Sequence, residues 1–267
     1  MSGGGMSCSY GVGALLALVE KYGFKNPDIV IAGSGNAGTL SYFVAEQYDS
    51  IRNIWSNLLS TKKFINPLRI TKIIDIDYLI DEVFKKQDIL DEEKIYDSKI
   101  LYLVPATNIE TGEIDYFSNK KGNDIFEVLR ATKAMPILFN KKVCINGKKY
   151  CDSYVSISTK LNALKAIELG ADKLIIIDND SPNYLNEFIF SIWLKFKSRK
   201  FRKKYRDYLE KIEKTVFPGN VEVLVLKPEK KLVITTLNNN QKILKETISQ
   251  GFNETCDNII LKNFLEM

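Results

Sequence analysis

There is no histidine among the 267 residues, so no imidazole can shuttle a proton in this chain. A Ser-His-Asp or Cys-His arrangement is thereby excluded, and any nucleophile must be served by a carboxylate or a lysine. The residues best placed for chemistry are Gly33-Ser34-Gly35-Asn36-Ala37-Gly38, between a short apolar run, Asp28–Ala32, and a helical stretch, Thr39–Gln47. Read from Gly33, they spell G-x-G-x-x-G, a turn that brings backbone close to a pyrophosphate at a helix N-terminus. That reading also needs an acidic residue at the end of a second strand about 20 positions on. Ile54-Trp55-Ser56-Asn57-Leu58-Leu59 stands there instead, helical and without an acid. Read one step along, Ser34-Gly35-Asn36-Ala37-Gly38 follows the G-x-S-x-G nucleophile elbow, with Asn36 at the tip and small neighbours around a crowded backbone. A third reading is a tight strand-to-helix junction with no chemistry in it.

The elements that must position such a turn alternate. Val12, Leu15, Leu16, Leu18 and Val19 repeat at helical spacing within Tyr10–Tyr22, after Gly3-Gly4-Gly5. Ile100–Pro105, Val143–Ile145 and Leu174–Ile177 read as strands, the last a continuous apolar run of the kind parallel sheets bury on both faces. Asp124–Lys133 and Leu161–Leu169 read as helices, the second closed by Gly170. Alternating strands and helices predict a three-layer α/β/α fold with a mainly parallel central sheet. One domain over residues 1–267 is expected, with a motif-bearing core over 1–180, a basic amphipathic segment over 185–215, and C-terminal strand and helix elements over 216–267.

Four scattered cysteines, Cys8, Cys144, Cys151 and Cys256, form no CxxC pair. Reduced thiols in a cytoplasm are expected rather than a disulfide framework or a zinc site. No apolar run approaches the roughly 18 residues of a membrane span, and no signal peptide opens the sequence. A cytoplasmic protein, soluble or in peripheral contact with a membrane, is the expectation.

Six segments in order resemble the patatin-like phospholipase family. Gly3-Gly4-Gly5-Met6-Ser7-Cys8-Ser9-Tyr10-Gly11-Val12-Gly13 is similar to the family's G-G-G-x-[RK]-G loop and the helix after it. Ser34–Gly38 matches the elbow in part, and Thr107-Asn108-Ile109-Glu110-Thr111-Gly112 matches a segment that follows a strand. Ala131-Thr132-Lys133-Ala134-Met135-Pro136 corresponds to A-[ST]-x-A-x-P. Asn146–Tyr154 occupies the place of the D-G-[GA] turn, and Ala166–Asp172 precedes a buried strand. The resemblance implies a Ser-Asp dyad, which suits a sequence without histidine, and a lipid acyl ester as substrate, with no metal or cofactor. It implies Asp152 as the base, Gly3, Gly4, Gly5 and Met6 as oxyanion donors, and Asn36 at the nucleophile position, with Ser34, Gly35 and Gly38 completing the elbow.

Asn36 has no hydroxyl to deprotonate, so the sequence predicts a chain that is inactive or nearly so. The alternative expectation is a catalytically dead protein of this fold that binds lipid or a membrane. Ser34, two positions before the tip, is expected to point away from it. Cys8, with no histidine to lower its pKa, is expected to be inert. Ser7 and Cys8 replace the loop's usual basic residue and glycine, and Ser153-Tyr154 replaces the glycine pair after the aspartate. The strand that precedes the glycine loop in the family has no counterpart before Met1: either a downstream start was chosen, or the strand is missing and the loop is poorly anchored.

Between Trp193 and Arg206 there are eight lysines and arginines and no acid, while the whole chain carries a formal charge of +5. The basic character is therefore local, and Phe190, Trp193, Phe196, Phe201 and Tyr205 are interleaved with it. A solvated helix face is one reading. The other is an interfacial element in which Trp193, Lys197, Arg199 and Arg202 face a membrane. No nucleic-acid module is visible elsewhere, so no nucleic-acid partner is expected, and nothing in the sequence sets an oligomeric state.

Overall fold

The computed structural model describes residues 1–139, 141–153, 155–179 and 184–266. Helix α1, Ser9–Tyr22, runs through the centre of the molecule and is buried at every position from Ser9 to Val19. A helix apolar on all sides has no solvent face, so it must be enclosed. Gly23 in the left-handed conformation (φ 65°) ends it, and the chain returns as β1, Ile29–Ile31. Helix α2, Ser34–Val44, follows. It starts five residues before Thr39, the residue at which the sequence pattern begins to look helical.

Strand β1 pairs in parallel with β2, Leu101–Asn108, which also pairs antiparallel with β3, Ile114–Ser118. Strand β5, Lys148–Cys151, joins the far end of β2 and forms a hairpin with β4, Val143–Ile145. The hairpin turn is Asn146-Gly147, both at positive φ, as a two-residue turn matched to strand twist requires. A second parallel pair joins β6, Lys173–Ile177, to β7, Glu222–Leu226. The fold is three-layer α/β, with parallel pairing at β1–β2 and β6–β7 and an antiparallel wing of β3, β5 and β4. The alternation of Ile114, Tyr116 and Ser118 that makes β3 is short, and it sits beside a turn that hides it in the sequence.

Strands β1 and β6 do not pair with each other. The first two residues hydrogen-bond to both: the Met1 ammonium donates to Ile31 O at 2.8 Å and Ser2 N–H to Ile177 O at 2.9 Å. Above this bridge lies a cavity of about 640 Å³ lined by both strands and by Phe264 and Leu265. On the other side of α1, helix α9, Gln241–Cys256, packs backbone to backbone. A Cβ on Gly13 would lie 1.9 Å from Ile248 O, and one on Gly251 2.1 Å from Tyr10 O.

Candidate active site

The end of β1 leads through Gly33 (φ −106°, ψ 172°) directly into Ser34, which has φ +53° and is already the first residue of α2. A non-glycine residue in this region costs of order 1–3 kcal/mol and persists only where its surroundings hold it. Here they do. Ser34 N–H donates to Thr132 Oγ1 at 3.1 Å, and Thr132 Oγ1 donates to Pro105 O at 2.6 Å. From the other side Lys133 Nζ donates to Ser34 O, and to Gly35 O at 3.3 Å.

The sharp tip is thus Ser34, and the expectation that placed Asn36 there is corrected. A helix turns about 100° per residue, so Asn36, two residues on, is carried well round the axis. It is fully buried, its Nδ2 donates to Ser2 O at 2.8 Å, and its Oδ1 has no partner among the described residues. Counting from the strand end would have found the tip, because Ala32-Gly33-Ser34-Gly35 puts small residues on both sides of the serine. Matching Gly38 to the last glycine of the pattern shifted the register by two.

Asp152 lies just after β5, buried, with its N–H donating to Ala134 O at 2.9 Å. Burial pushes its carboxyl's pKa up to about 7, against the downward pull of the Ser34 side chain and of the nearby Lys133 ammonium. Ser153, in place of a glycine, is absorbed into a local turn: its N–H donates to Ser156 Oγ at 3.1 Å, and its Oγ lies 2.5 Å from Thr107 Oγ1. Tyr154 is outside the described residues.

The glycine loop reaches the same point. Gly4 and Gly5 have φ of 140° and 59°, a pair of conformations only glycine adopts freely. A Cβ on Gly3 would sit 3.0 Å from Ser34 Cβ, and one on Gly35 would sit 3.0 Å from Gly5 O, so loop and elbow are in contact. Two carboxamides hold the loop's carbonyls. Besides Asn36 on Ser2 O, Asn179 Nδ2 donates to Gly3 O at 3.1 Å, and Asn179 Oδ1 accepts from Gly11 N–H at 3.1 Å. The expected poor anchoring is therefore not found; Asn36, Asn179 and the edges of β1 and β6 replace it. Of the four expected donors, Met6 N–H is committed to Thr236 O at 3.1 Å. Gly3, Gly4 and Gly5 have no acceptor for their N–H groups among the described residues. Cys8 Sγ is beside the elbow, but burial pushes its pKa up to about 12, so it is a thiol at neutral pH.

Ser34, Gly5, Met6 and Lys133 share an apolar cavity of about 50 Å³. Ile54, Trp55, Phe64, Ile74, Leu79 and Phe84 form its walls. Gly38, counted with the elbow, lies in that wall one turn into α2. The sequence pattern did not single out Lys133, Thr236 or Asn179. Lys133 is in a recognisable motif, but nothing in the sequence says that its ammonium turns inward. Burial lowers its pKa to about 8. Thr236, from a remote part of the chain, lines the cavity with a buried Oγ1 that has no partner.

The basic segment forms α7, Tyr184–Lys195, and α8, Arg199–Lys214. Trp193 does not face outward: its ring packs 5.0 Å from Phe190 and edge-on to Phe201 at 5.5 Å, with Lys197 Nζ 3.9 Å above it. Phe201 is fully buried. The aromatics pack between the two helices and against Leu161, Leu164, Val155 and Ile114. Arg199 and Arg202 are exposed, as are Phe188 and Ile192 on α7 and Phe196 just after it.

A family model described as patatin-like phospholipase matches residues 1–164. Among solved structures, VipD from Legionella pneumophila aligns with a TM-score of 0.50 at 14% identity, over 99% of this chain and 66% of that one. At that identity the likeness is one of fold. No curated protein matches the chain.

Proposed function

Because the chain belongs to the patatin-like phospholipase family, matched over residues 1–164, we propose that it is a lipid acyl ester hydrolase with Ser34 as nucleophile and Asp152 as base. The observation that carries this reading is the placement of the Ser34 side chain, on a strained strand-to-helix tip lining an apolar cavity, where it acts on the buried Asp152 carboxyl. The geometry supports a Ser-Asp dyad in an active protein, in place of a decayed site at Asn36.

Ser34 Oγ attacks the ester carbonyl as its proton passes to Asp152. The oxyanion forms against the N–H groups of Gly3, Gly4 and Gly5, which are fixed before the reaction and need no reorganisation. Collapse expels the alcohol, which takes the proton back from Asp152, and leaves an acyl-Ser34 ester. Asp152 then takes a proton from water as it attacks that ester and returns it to Ser34 Oγ as the fatty acid leaves. The aliphatic and aromatic walls of the cavity suit an acyl chain.

Such substrates reside in lipid surfaces. Exposed Arg199 and Arg202 on α8 supply attraction to anionic headgroups, which reaches about a Debye length. Among the described residues no helix is long and apolar enough to cross a membrane. All four cysteines are unpaired, in keeping with a reducing cytoplasm.

The test is labelling with a serine-directed fluorophosphonate beside turnover of a chromogenic acyl ester. The parent should label at Ser34 and turn over, Ser34→Ala should do neither, and Asn36→Ser should still label at Ser34. A folded parent that neither labels nor turns over would favour a lipid-binding protein without hydrolysis.

A further inference from the structure

Between Leu59 and Ile76 the chain leaves the cavity wall, makes a loop and returns. Phe64 and Ile65 on the outgoing limb, and Ile74 and Ile76 on the returning one, line the cavity that holds Ser34. The limbs are joined by an antiparallel bridge, Ile65 to Ile74, with Asn66 N–H on Ile73 O at 2.9 Å and Asp75 N–H on Phe64 O at 2.8 Å. Asn239 Nδ2 donates to Thr61 O at 3.0 Å and fixes the base.

The tip is braced from inside. The Arg69 guanidinium donates to Lys62 O at 2.7 Å, Lys63 O at 2.8 Å and Lys72 O at 3.2 Å, and pairs with Asp75 at 3.6 Å. Leu68 and Ile70, on either side of it, are 91% and 97% exposed, the highest values among the exposed large apolar residues. Single exposed aliphatics are common. Two held outward on a braced tip stabilise nothing in the free protein, since they leave no water behind.

The charges around the tip choose the partner. The nearby acids are occupied, Asp75 by Arg69 and Asp77 by Lys72, Arg130 and Lys141. Lys62 and Lys63 are exposed and have no ion pair among the described residues. Protein interfaces favour Trp, Tyr and Arg as anchors. Aliphatic tips flanked by unpaired lysines suit an acyl boundary beneath anionic headgroups.

We propose that this loop, with Leu68 and Ile70 as anchors and Lys62 and Lys63 as flanking cations, seats the protein on an anionic lipid surface beside the acyl cavity. Only its catalytic consequence rests on the hydrolase reading: a lipid drawn from the surface enters between walls that the loop's own limbs provide.

The experiment is co-sedimentation of the full chain with phosphatidylcholine vesicles, with and without phosphatidylserine, alongside turnover of a short soluble ester. Leu68→Ser with Ile70→Ser should weaken vesicle binding at least about tenfold, the loss expected when two aliphatic anchors are removed. Lys62→Ala with Lys63→Ala should reduce the preference for phosphatidylserine. Both should keep the parent's thermal midpoint and soluble-ester turnover. Unchanged vesicle binding in the serine variant, or a parent that binds no vesicles, overturns the proposal. Loss of binding in that variant with no ester turnover in any protein would sustain the docking loop and reject the hydrolase.

Discussion

The ammonium of Lys133 is bound to the carbonyl oxygen of Ser34. A fully buried lysine thereby holds the backbone of the residue proposed as nucleophile, with no carboxylate paired to it by a salt bridge. Its charge also acts on Asp152, drawing that carboxyl's pKa down against the rise that burial causes. Lys133→Met keeps the stem and removes the charge. Ester turnover should fall by up to about 10²-fold, and the acid limb of the kcat/KM profile should move to higher pH. Lys133→Arg should restore the limb in part. A fall in rate with an unmoved limb would assign Lys133 to scaffolding alone.

Asp152 should make activity and stability respond to pH in opposite directions. As a base it must be ionised, so kcat/KM should rise through its pKa of about 7. For stability, its folded pKa lies above the ordinary carboxylate value of 3.8. The folded state therefore holds the proton more tightly, and stability present at low pH is lost as pH rises from about 4 to about 7. Asp152→Asn should melt higher than the parent at pH 8, with the difference shrinking towards pH 4, while turnover falls about 10²–10⁴-fold. Melting curves across pH check the sign.

Asn36 is expected to act on the loop and not on substrate. Asn36→Ala removes the donor to Ser2 O and should cost about 1 kcal/mol of stability. Turnover should drop about tenfold while fluorophosphonate still labels Ser34, as peptide mapping of the labelled protein would show. Labelling at position 36 in Asn36→Ser would return the tip to that residue.

Periodicity made α1, α5 (Ile125–Lys133) and the strand cores legible in the sequence, because an apolar face repeats at the period of its element. The absence of histidine bounded the chemistry. The order of six short motifs pointed to the family and to Asp152, since turns that demand glycine, proline or aspartate leave those residues at fixed spacing. The elbow register was not legible. The pattern around Ser34 and Asn36 tolerates two alignments, and only the end of β1 and the positive φ of Ser34 separate them.

Composition decided that the protein has a buried α/β core and a local basic segment. Tertiary structure decided what those residues face. Trp193 turned inward because α7 and α8 bury their aromatic area against each other, α6 (Thr159–Glu168), Val155 and Ile114 of β3. Lys133 turned inward because two carbonyls await it there, and Thr236 reached the cavity from a hundred residues away in sequence, at a distance no local pattern encodes. Leu68 and Ile70 read in sequence as ordinary apolar residues near a proline. Their exposure follows from Arg69 turning back on its own loop, a contact that exists only once the chain has folded.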